Sequence, residues 1–213
     1  MGRPPSSDGA QTRREILIAA RRSFAERGFA VTTMKDVAEP AGLTTGAVHY
    51  HFGSKQRLYE EVYEEVTAII FGRLAALFAD ATSLRGAMTE MLRECETIGR
   101  QEASLAAFYI AIASETRFND ELHDIGKRQV EGTREFFGRL VDLAVQRGEL
   151  AETESVGVAE MLAAVTNGLA RYSVLTDEGA SENMFIAARA LFSGDLSPFQ
   201  PGPPEDARRP RQP

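Results

Sequence analysis

Apolar residues recur at intervals of three and four along most of the chain, a spacing that places them on one face of an α-helix. No segment alternates strictly between apolar and polar residues over the length of a half-buried strand. The first apolar stripe contains Ile16, Ala20 and Phe24, and it lies between Thr12, which can cap a helix start, and Gly28. The pattern predicts an all-α fold of about nine helices, the first beginning at Thr12.

Two short helices are predicted next. Thr33 can cap the first of them, with Asp36 at the third position, and Thr44 can cap a second that runs to Phe52. Pro40 lies near the end of the first short helix. Because proline has no amide proton and crowds the carbonyl of Asp36, four residues earlier, we expect that helix to be shortened.

Longer helices are expected in the rest of the chain. One begins after a cap at Ser54, and the others cover about 84–99, 103–113, 119–146, 155–174 and 181–192. The segment 103–113 is apolar on nearly every side, which predicts a central position in the body. Residues 1–10 and 197–213 offer little apolar surface to bury, so they are predicted to be disordered tails.

Charge is distributed unevenly along the chain, whose formal net charge is -7 over 213 residues. Residues 1–57 carry nine lysine or arginine residues and five acidic ones, a net charge of +4. The remaining residues carry 15 basic and 26 acidic side chains, a net charge of -11. A basic head on an acidic body favours a head that binds a polyanion, although chance clustering on solvated helix faces would give the same count.

Composition and spacing exclude several other classes of protein. The single cysteine, Cys95, cannot form an internal disulfide, no apolar stretch reaches the ~20 residues needed to cross a bilayer, and no signal peptide precedes the first helix. A cytoplasmic protein without a membrane partner is expected. His49 and His51 would point in nearly opposite directions on a helix and His123 stands alone, so neither a metal site nor a cofactor is predicted. No nucleophile or phosphate-loop motif indicates an enzyme.

The segment 33–52 has the features of two helices that cross closely. Ala38 is small enough for the second helix to approach, Gly42 can adopt the positive φ of a tight turn, and Val48 can fill the crossing. With the first helix behind them, these two helices would form a helix-turn-helix unit.

The second helix of this unit would present a polar face to solvent, formed by Thr45, Gly46, His49 and Tyr50. Small residues at its start allow the backbone to approach base edges in a DNA major groove, and the threonine and aromatic side chains can contact bases or phosphates. Thr33 and Lys55, each at a helix N-terminus, are candidate phosphate contacts. The alternative is that these residues form only a solvated helix face.

Residues 16–62 resemble the N-terminal DNA-binding region of the TetR family of bacterial transcriptional regulators. The resemblance rests on "ERGF" at the end of the first helix, "TT" before the second, "AGLTTGAV" and "HFGSK". It implies a three-helix head on an all-helical ligand-binding body, and a homodimer that represses from a palindromic operator until a small molecule releases it. By this resemblance, positions that often contact DNA are Thr33, Thr44, Thr45, Gly46, Tyr50 and Lys55, and His49 stands where members often have a phosphate-contacting tyrosine.

A dimer is also expected because one head reads only a few base pairs. Apolar residues with spacings of three and four on the last two helices suggest its interface: Val158, Leu162, Val165, Leu169, Tyr172, Phe185 and Phe192. The alternative is that these stripes close the core of the single chain.

The middle helices are expected to enclose a largely apolar small molecule. Candidate ligand contacts are Met88, Met91, Leu92, Phe108, Tyr109, Ile112, His123 and Phe136. Core packing is the alternative role for each of these side chains.

The combined prediction is a DNA-binding domain over 11–57 and a helical ligand-binding and dimerisation domain over 58–196. Its expected partners are double-stranded operator DNA, a second copy of the chain and an effector. Two rival hypotheses are a helical enzyme or small-molecule binder whose head is only structural, and a protein-interaction module that docks through its first helices.

Overall fold

A computed structural model describes residues 5–194, and within that range the chain contains helices and no strands. The helices are α1 (Pro5–Arg27), α2 (Met34–Ala38), α3 (Thr45–Phe52), α4 (Lys55–Ala79), α5 (Leu84–Gln101), α6 (Ala103–Phe118), α7 (His123–Gln146), α8 (Ser155–Leu175) and α9 (Glu178–Ser193), with short 3₁₀ turns at Asp120–Leu122 and Glu152–Glu154. The predicted all-α class and number of helices are confirmed for the described part of the chain. None of these helices combines the length and apolar character needed to cross a membrane.

The prediction that α1 begins at Thr12 was wrong. The helix begins at Pro5, so residues 5–10, which were predicted to be disordered, belong to it. Proline is favoured at the first helical position because its missing amide proton would have no partner there and its φ already suits a helix. The predicted C-terminal tail, 197–213, lies outside the described residues.

The head is built from α1, α2 and α3 and closed by the start of α4. Its core is formed by apolar side chains from all four helices, including Ile16, Phe24, Val37, Val48 and Leu58, each at most 1% exposed. α4 continues without a break from this head into the body, so the predicted domain boundary at residue 57 falls inside one helix.

The short α2 ends two residues before Pro40, which confirms the predicted shortening. Beyond it, the Leu43 amide donates to Ala38 O at 2.9 Å and Gly42, at φ +67°, donates to Glu39 O at 3.1 Å. This pair of bonds is a Schellman motif, which satisfies carbonyls at the end of a helix. The turn between α2 and α3 is thus fixed by the glycine that the sequence placed there.

Pro40 leaves the carbonyl of Asp36 without its usual partner four residues along the helix. The Ser23 hydroxyl of α1 donates to this carbonyl at 3.3 Å, and the Ser23 side chain is buried. A side chain of one helix therefore replaces the amide proton that proline lacks in another.

α6 lies at the centre of the body, as its apolar sequence predicted, and it contacts α1, α4, α5, α7 and α8. An aromatic cluster joins α6 to the head: the Tyr59 ring lies 5.0 Å from the Phe24 ring and 4.9 Å from the Phe108 ring. Burial, and secondarily the carboxylate of Glu115, raises the pKa of Tyr59. The head and the body therefore share one continuous core.

Candidate functional site

The exposed face of α3 is held by a cap at its start and by its buried side. The Thr44 Oγ1 atom accepts a hydrogen bond from the Ala47 amide at 3.1 Å, while Val48 and Phe52 are buried in the head. On the opposite side, Gly46 and His49 are exposed, Thr45 is half-buried, and Tyr50 is 86% exposed. The surface predicted from the sequence is therefore present, and Tyr50 is its most prominent side chain.

His49 is fixed by a hydrogen bond to the residue that follows α3. Its Nδ1 atom lies 2.9 Å from the carbonyl oxygen of Gly53, which can only accept, so the proton lies on Nδ1. In the neutral ring Nε2 then presents a lone pair and cannot donate to a phosphate oxygen. A hydrogen bond from His49 to a phosphate therefore requires the doubly protonated ring. The tyrosine that is common at this position in the family that residues 16–62 resemble carries a hydroxyl group, which can donate without a change of charge.

Thr33 has no free donor for DNA, which changes its predicted role. Its amide donates to Asp36 Oδ2 at 2.9 Å and its hydroxyl to the same oxygen at 2.7 Å, while the Asp36 amide donates back to Thr33 Oγ1 at 3.2 Å. Arg27 adds a hydrogen bond to Asp36 Oδ1 at 2.7 Å. The hydrogen bonds from Thr33, and then the hydrogen bond and the charge of Arg27, lower the pKa of Asp36. Thr33 is thus a helix cap, and the adjacent carboxylate would repel a phosphate.

Lys55 ties the start of α4 to the turn that follows α1. Its Nζ atom donates to the carbonyl of Phe29 at 2.8 Å and lies 4.4 Å from the centre of the Phe29 ring. A longer bond, at 3.4 Å, reaches the carbonyl of Ala30. An ammonium group has three protons, so one remains for the predicted phosphate contact while the other two hold the turn.

A carboxylate of the body, that of Glu115, also contacts the turn that follows α1. The Phe29 amide donates to Glu115 Oε2 of α6 at 3.2 Å. Gly28 has φ +79°, and a Cβ atom at this position would overlap the Glu115 carboxylate. Glu115 was not singled out from the sequence, because a polar residue near a helix end gives no signal of a contact 86 residues away.

Two neighbouring cavities lie in the body. The outer cavity, about 320 Å³, opens between α6, α7 and α8 and is bordered by residues that include Tyr109, Gln129, Thr133, Arg134, Asn167 and Arg171. The inner cavity, about 60 Å³, lies deeper and is bordered by apolar side chains that include Ile70, Phe71, Leu74 and Phe136, together with Cys95 and Thr166. Tyr109, Ile110, Thr133 and Asn167 border both cavities, so the two share a wall.

Only two of the predicted ligand contacts border these cavities, namely Tyr109 and Phe136. His123 is exposed at the start of α7, away from either cavity. The remaining predicted contacts are buried in the core and border neither cavity: Met88, Met91, Leu92, Phe108 and Ile112. Periodicity identifies side chains that point inward, but it does not reveal which of them face a void.

A buried polar cluster lies in the wall that the two cavities share. The Thr133 hydroxyl donates to the Gln129 carbonyl at 2.7 Å and lies 3.0 Å from the Tyr109 hydroxyl. Since the single Thr133 proton goes to Gln129, the Tyr109 hydroxyl is the donor to Thr133 Oγ1. The Gln129 side-chain amide donates in turn to the Tyr109 carbonyl at 2.9 Å. Burial raises the pKa of Tyr109, which keeps this hydroxyl protonated.

Cys95 borders the inner cavity as a neutral thiol. Burial, with a smaller effect of the Glu94 carboxylate, raises the pKa of Cys95 to about 12. The thiolate needed for nucleophilic attack is therefore strongly disfavoured. Among residues 5–194, no three histidine, cysteine or acidic side chains are arranged to hold a metal ion.

The predicted dimer contacts fall into three groups, which are buried, half-buried and exposed in the single chain. Leu162 and Phe185 are 2% and 1% exposed in the single chain, so they pack in its own core and offer a partner no surface. Half-buried positions against the core are occupied by Val158, Leu169 and Phe192. Val165 and Tyr172 are exposed, and Met161 and Leu175 continue their stripe along α8 with 49% and 71% exposure. The apolar residues of α8 thus form two stripes, one against the core and one exposed, and the sequence pattern did not distinguish between them.

The sequence of the head matches a known family model. Residues 16–62 match the model described as bacterial regulatory proteins, tetR family. The chain is 39% identical over 77 residues to the HTH-type transcriptional repressor KstR2 of Mycolicibacterium smegmatis, a match that covers 36% of this chain and 38% of that protein. The aligned region thus spans less than half of this curated relative.

Solved structures share the fold over almost the whole chain. A regulator from Saccharomonospora viridis in complex with choline is 19% identical, with a TM-score of 0.71, over 88% of this chain and 96% of the other. FadR of Bacillus subtilis, in complex with stearoyl-CoA, is 17% identical, with a TM-score of 0.70, over 86% and 97%. The head of the chain, residues 16–62, thus matches the tetR family model, and these solved structures share the all-helical fold of the whole chain.

Proposed function

We propose that the protein is a transcriptional regulator that reads DNA with α3, binds a palindromic operator as a homodimer, and represses until a small molecule releases it. The observation that carries this proposal is the capped, rigidly packed α3 with Gly46 and Tyr50 exposed. A small residue near the helix start lets the backbone approach the floor of a major groove, and a prominent aromatic side chain can contact bases or the flanking backbone. The similarity to a repressor over the head supports the repressing direction.

The contacts proposed for DNA differ in kind. Thr45, Gly46 and Tyr50 face the groove, and Thr44 contributes through its cap of α3. Lys55 supplies its remaining proton to a phosphate, and His49 does so only when its ring is doubly protonated. The predicted boundaries, 11–57 for the DNA-binding domain and 58–196 for the body, remain part of the proposal, with α4 shared between the two.

The proposed dimer forms through the exposed apolar stripe of α8, which contains Met161, Val165, Tyr172 and Leu175. Ile186 and Leu191 of α9 are also exposed, at 40% and 65%. Large apolar side chains exposed along one face of a helix favour association of two copies about a two-fold axis. Burial of this stripe would place two heads on one operator.

The proposed effector site is the pair of cavities in the body. Glu115, which holds the turn after α1, lies six residues from Tyr109 on the same helix, α6, and so connects the cavity wall to the head. A ligand that binds one position of α6 more tightly than another would shift the equilibrium between head positions by that difference in affinity. The choline and stearoyl-CoA bound by two structural neighbours fit the expectation that such a body holds a small molecule.

Binding to a fluorescent duplex, taken from the DNA upstream of the chain's own reading frame and measured at several salt concentrations, tests the proposal. The wild-type protein is expected to bind with a steep salt dependence. Tyr50→Ala should weaken binding by about tenfold or more, since loss of one base contact costs about 1–3 kcal/mol. Phe118→Ala removes another highly exposed aromatic side chain, far along the sequence from α3, and should bind as wild type does.

Two results would contradict the proposal. Equal weakening by both variants would show that binding depends on exposed aromatic side chains in general and not on the position of Tyr50 on α3. Binding to genomic fragments no tighter than to random DNA, after selection across a bacterial genome, would remove the regulator hypothesis itself.

A further inference from the structure

The electrostatics of the outer cavity differ from those of the whole chain. The chain has a formal net charge of -7, but the charged residues that border this cavity are Arg134, Arg171 and Glu160. Arg134 Nε donates to Glu160 Oε1 at 2.8 Å, which offsets the acidic charge. Arg171 makes no ion pair or hydrogen bond with the described residues, so the cavity opening carries one unmatched positive charge.

An unpartnered hydroxyl lies deeper, in the inner cavity. The Thr166 Oγ1 atom is buried and has no hydrogen-bond partner among residues 5–194. Other threonines inside helices donate to the carbonyl four residues earlier, as Thr67, Thr97 and Thr133 do. A buried hydroxyl without a partner costs about 1–3 kcal/mol, and an acceptor atom on a bound molecule would remove that cost.

Most of the remaining residues that border the inner cavity are apolar. Phe71 and Phe136 form one wall, with ring centres 4.9 Å apart, and Ile70 and Leu74 of α4 continue it. A molecule that occupies both cavities therefore meets hydrocarbon at one end, one hydroxyl without a partner along its length and a guanidinium group at the opening.

We propose that the ligand of this site is an amphipathic anion, with an apolar chain in the inner cavity, an oxygen that accepts from Thr166, and an acidic group held by Arg171. The inference rests on the proposed role of the cavities as the effector site, and it narrows the expected apolar ligand to one that carries an acid. A planar guanidinium can hold a carboxylate through two parallel hydrogen bonds. A cationic head group would instead be repelled at the opening.

Calorimetric titration of the full chain with decanoate, decanol and decyltrimethylammonium tests the inference. Decanol and decyltrimethylammonium carry a ten-carbon alkyl chain and decanoate carries nine alkyl carbons beyond its carboxylate, so the three probes differ chiefly in the head group. Decanoate is expected to bind tightest and the quaternary ammonium compound weakest. Arg171→Gln should weaken the binding of decanoate by about tenfold, in line with the strength of a charge-assisted hydrogen bond. The same change should leave the affinity for decanol unchanged. Arg171→Lys should retain part of the preference for the acid.

Arg139→Gln is the matched control, because Arg139 is an exposed arginine of α7 that borders neither cavity. It should bind all three probes as the wild-type protein does. The inference is overturned if decanol binds as tightly as decanoate, if none of the probes binds, or if Arg171→Gln weakens decanol and decanoate equally.

The operator-binding measurement separates this inference from the proposed function. If decanoate binds through Arg171 but does not release the duplex, the anion site is supported and the proposed ligand response fails. If the chain binds no operator at all while the decanoate preference holds, the site is again supported and the regulator proposal fails. Loss of the preference for the acid, with operator binding intact, overturns only the inference about the ligand.

Discussion

At the scale of single residues, the turn before α3 depends on the substitution of one hydrogen-bond donor for another. Pro40 removes the amide proton that Asp36 O would accept, and the buried Ser23 hydroxyl supplies a proton from α1. The sequence predicted the first half of this arrangement, because the effect of proline on its own helix is local. It could not predict the second half, which depends on how α1 packs against α2.

This arrangement gives a testable coupling between Ser23 and Pro40. Ser23→Ala should lower the free energy of unfolding by about 1–2 kcal/mol, because it leaves a carbonyl without a partner. In a Pro40→Ala background the loss should be smaller, since residue 40 then has an amide proton that can pair with Asp36 O. Urea denaturation of the four proteins in this double-mutant cycle measures the difference. Equal losses in both backgrounds would contradict the proposed substitution.

Residue-level roles were predicted well only where they follow from local geometry. The caps at Thr33 and Thr44 and the glycine turn at Gly42 lie where the sequence placed them, since each depends on residues within one turn of helix. The role of Thr33 toward DNA was not predictable in the same way. Its cap and its predicted phosphate contact compete for the same two protons.

At the scale of helices, the contact between α6 and the turn after α1 is the most specific link between body and head. Glu115→Ala would leave the Phe29 amide without its acceptor and should lower stability by about 1–2 kcal/mol. Glu115→Gln keeps a side-chain oxygen that can accept, so it should cost less. Thermal unfolding of both variants checks this order. If the two variants are equally destabilised, the charge of Glu115 and not its hydrogen bond supports the turn.

Helix boundaries were predicted from the sequence only approximately. The start of α9 was predicted at about residue 181, but the helix begins at Glu178, where the Asp177 side chain accepts from the Ala180 amide at 2.8 Å. The cavities were also beyond prediction. Whether an inward side chain meets another side chain or a void depends on the packing of α4 to α8 together, and the periodicity of any one helix carries no such information.

At the scale of the whole molecule, the exposed stripe of α8 makes oligomeric state the decisive measurement. Val165→Glu places a charge in the centre of that stripe and should shift the protein from dimer toward monomer in sedimentation, because an unpaired charge is costly to bury in an interface. Val31→Glu alters an apolar side chain that is 68% exposed in the head and should leave the dimer intact. A monomeric wild-type protein, or equal effects of both variants, would argue against this interface.

The unbroken course of α4 has a mechanical consequence. Phe71 borders the inner cavity and Lys55 begins the same helix in the head, a separation of 16 residues, or about 24 Å at 1.5 Å per residue. A rigid rod of that length, tilted by about 5° at the cavity, moves its far end by about 2 Å. Because the two heads of a dimer would be displaced in opposite directions, their separation would change by about twice that amount. A packing change no larger than one methyl group would then be amplified into a mismatch that a pair of DNA grooves can detect.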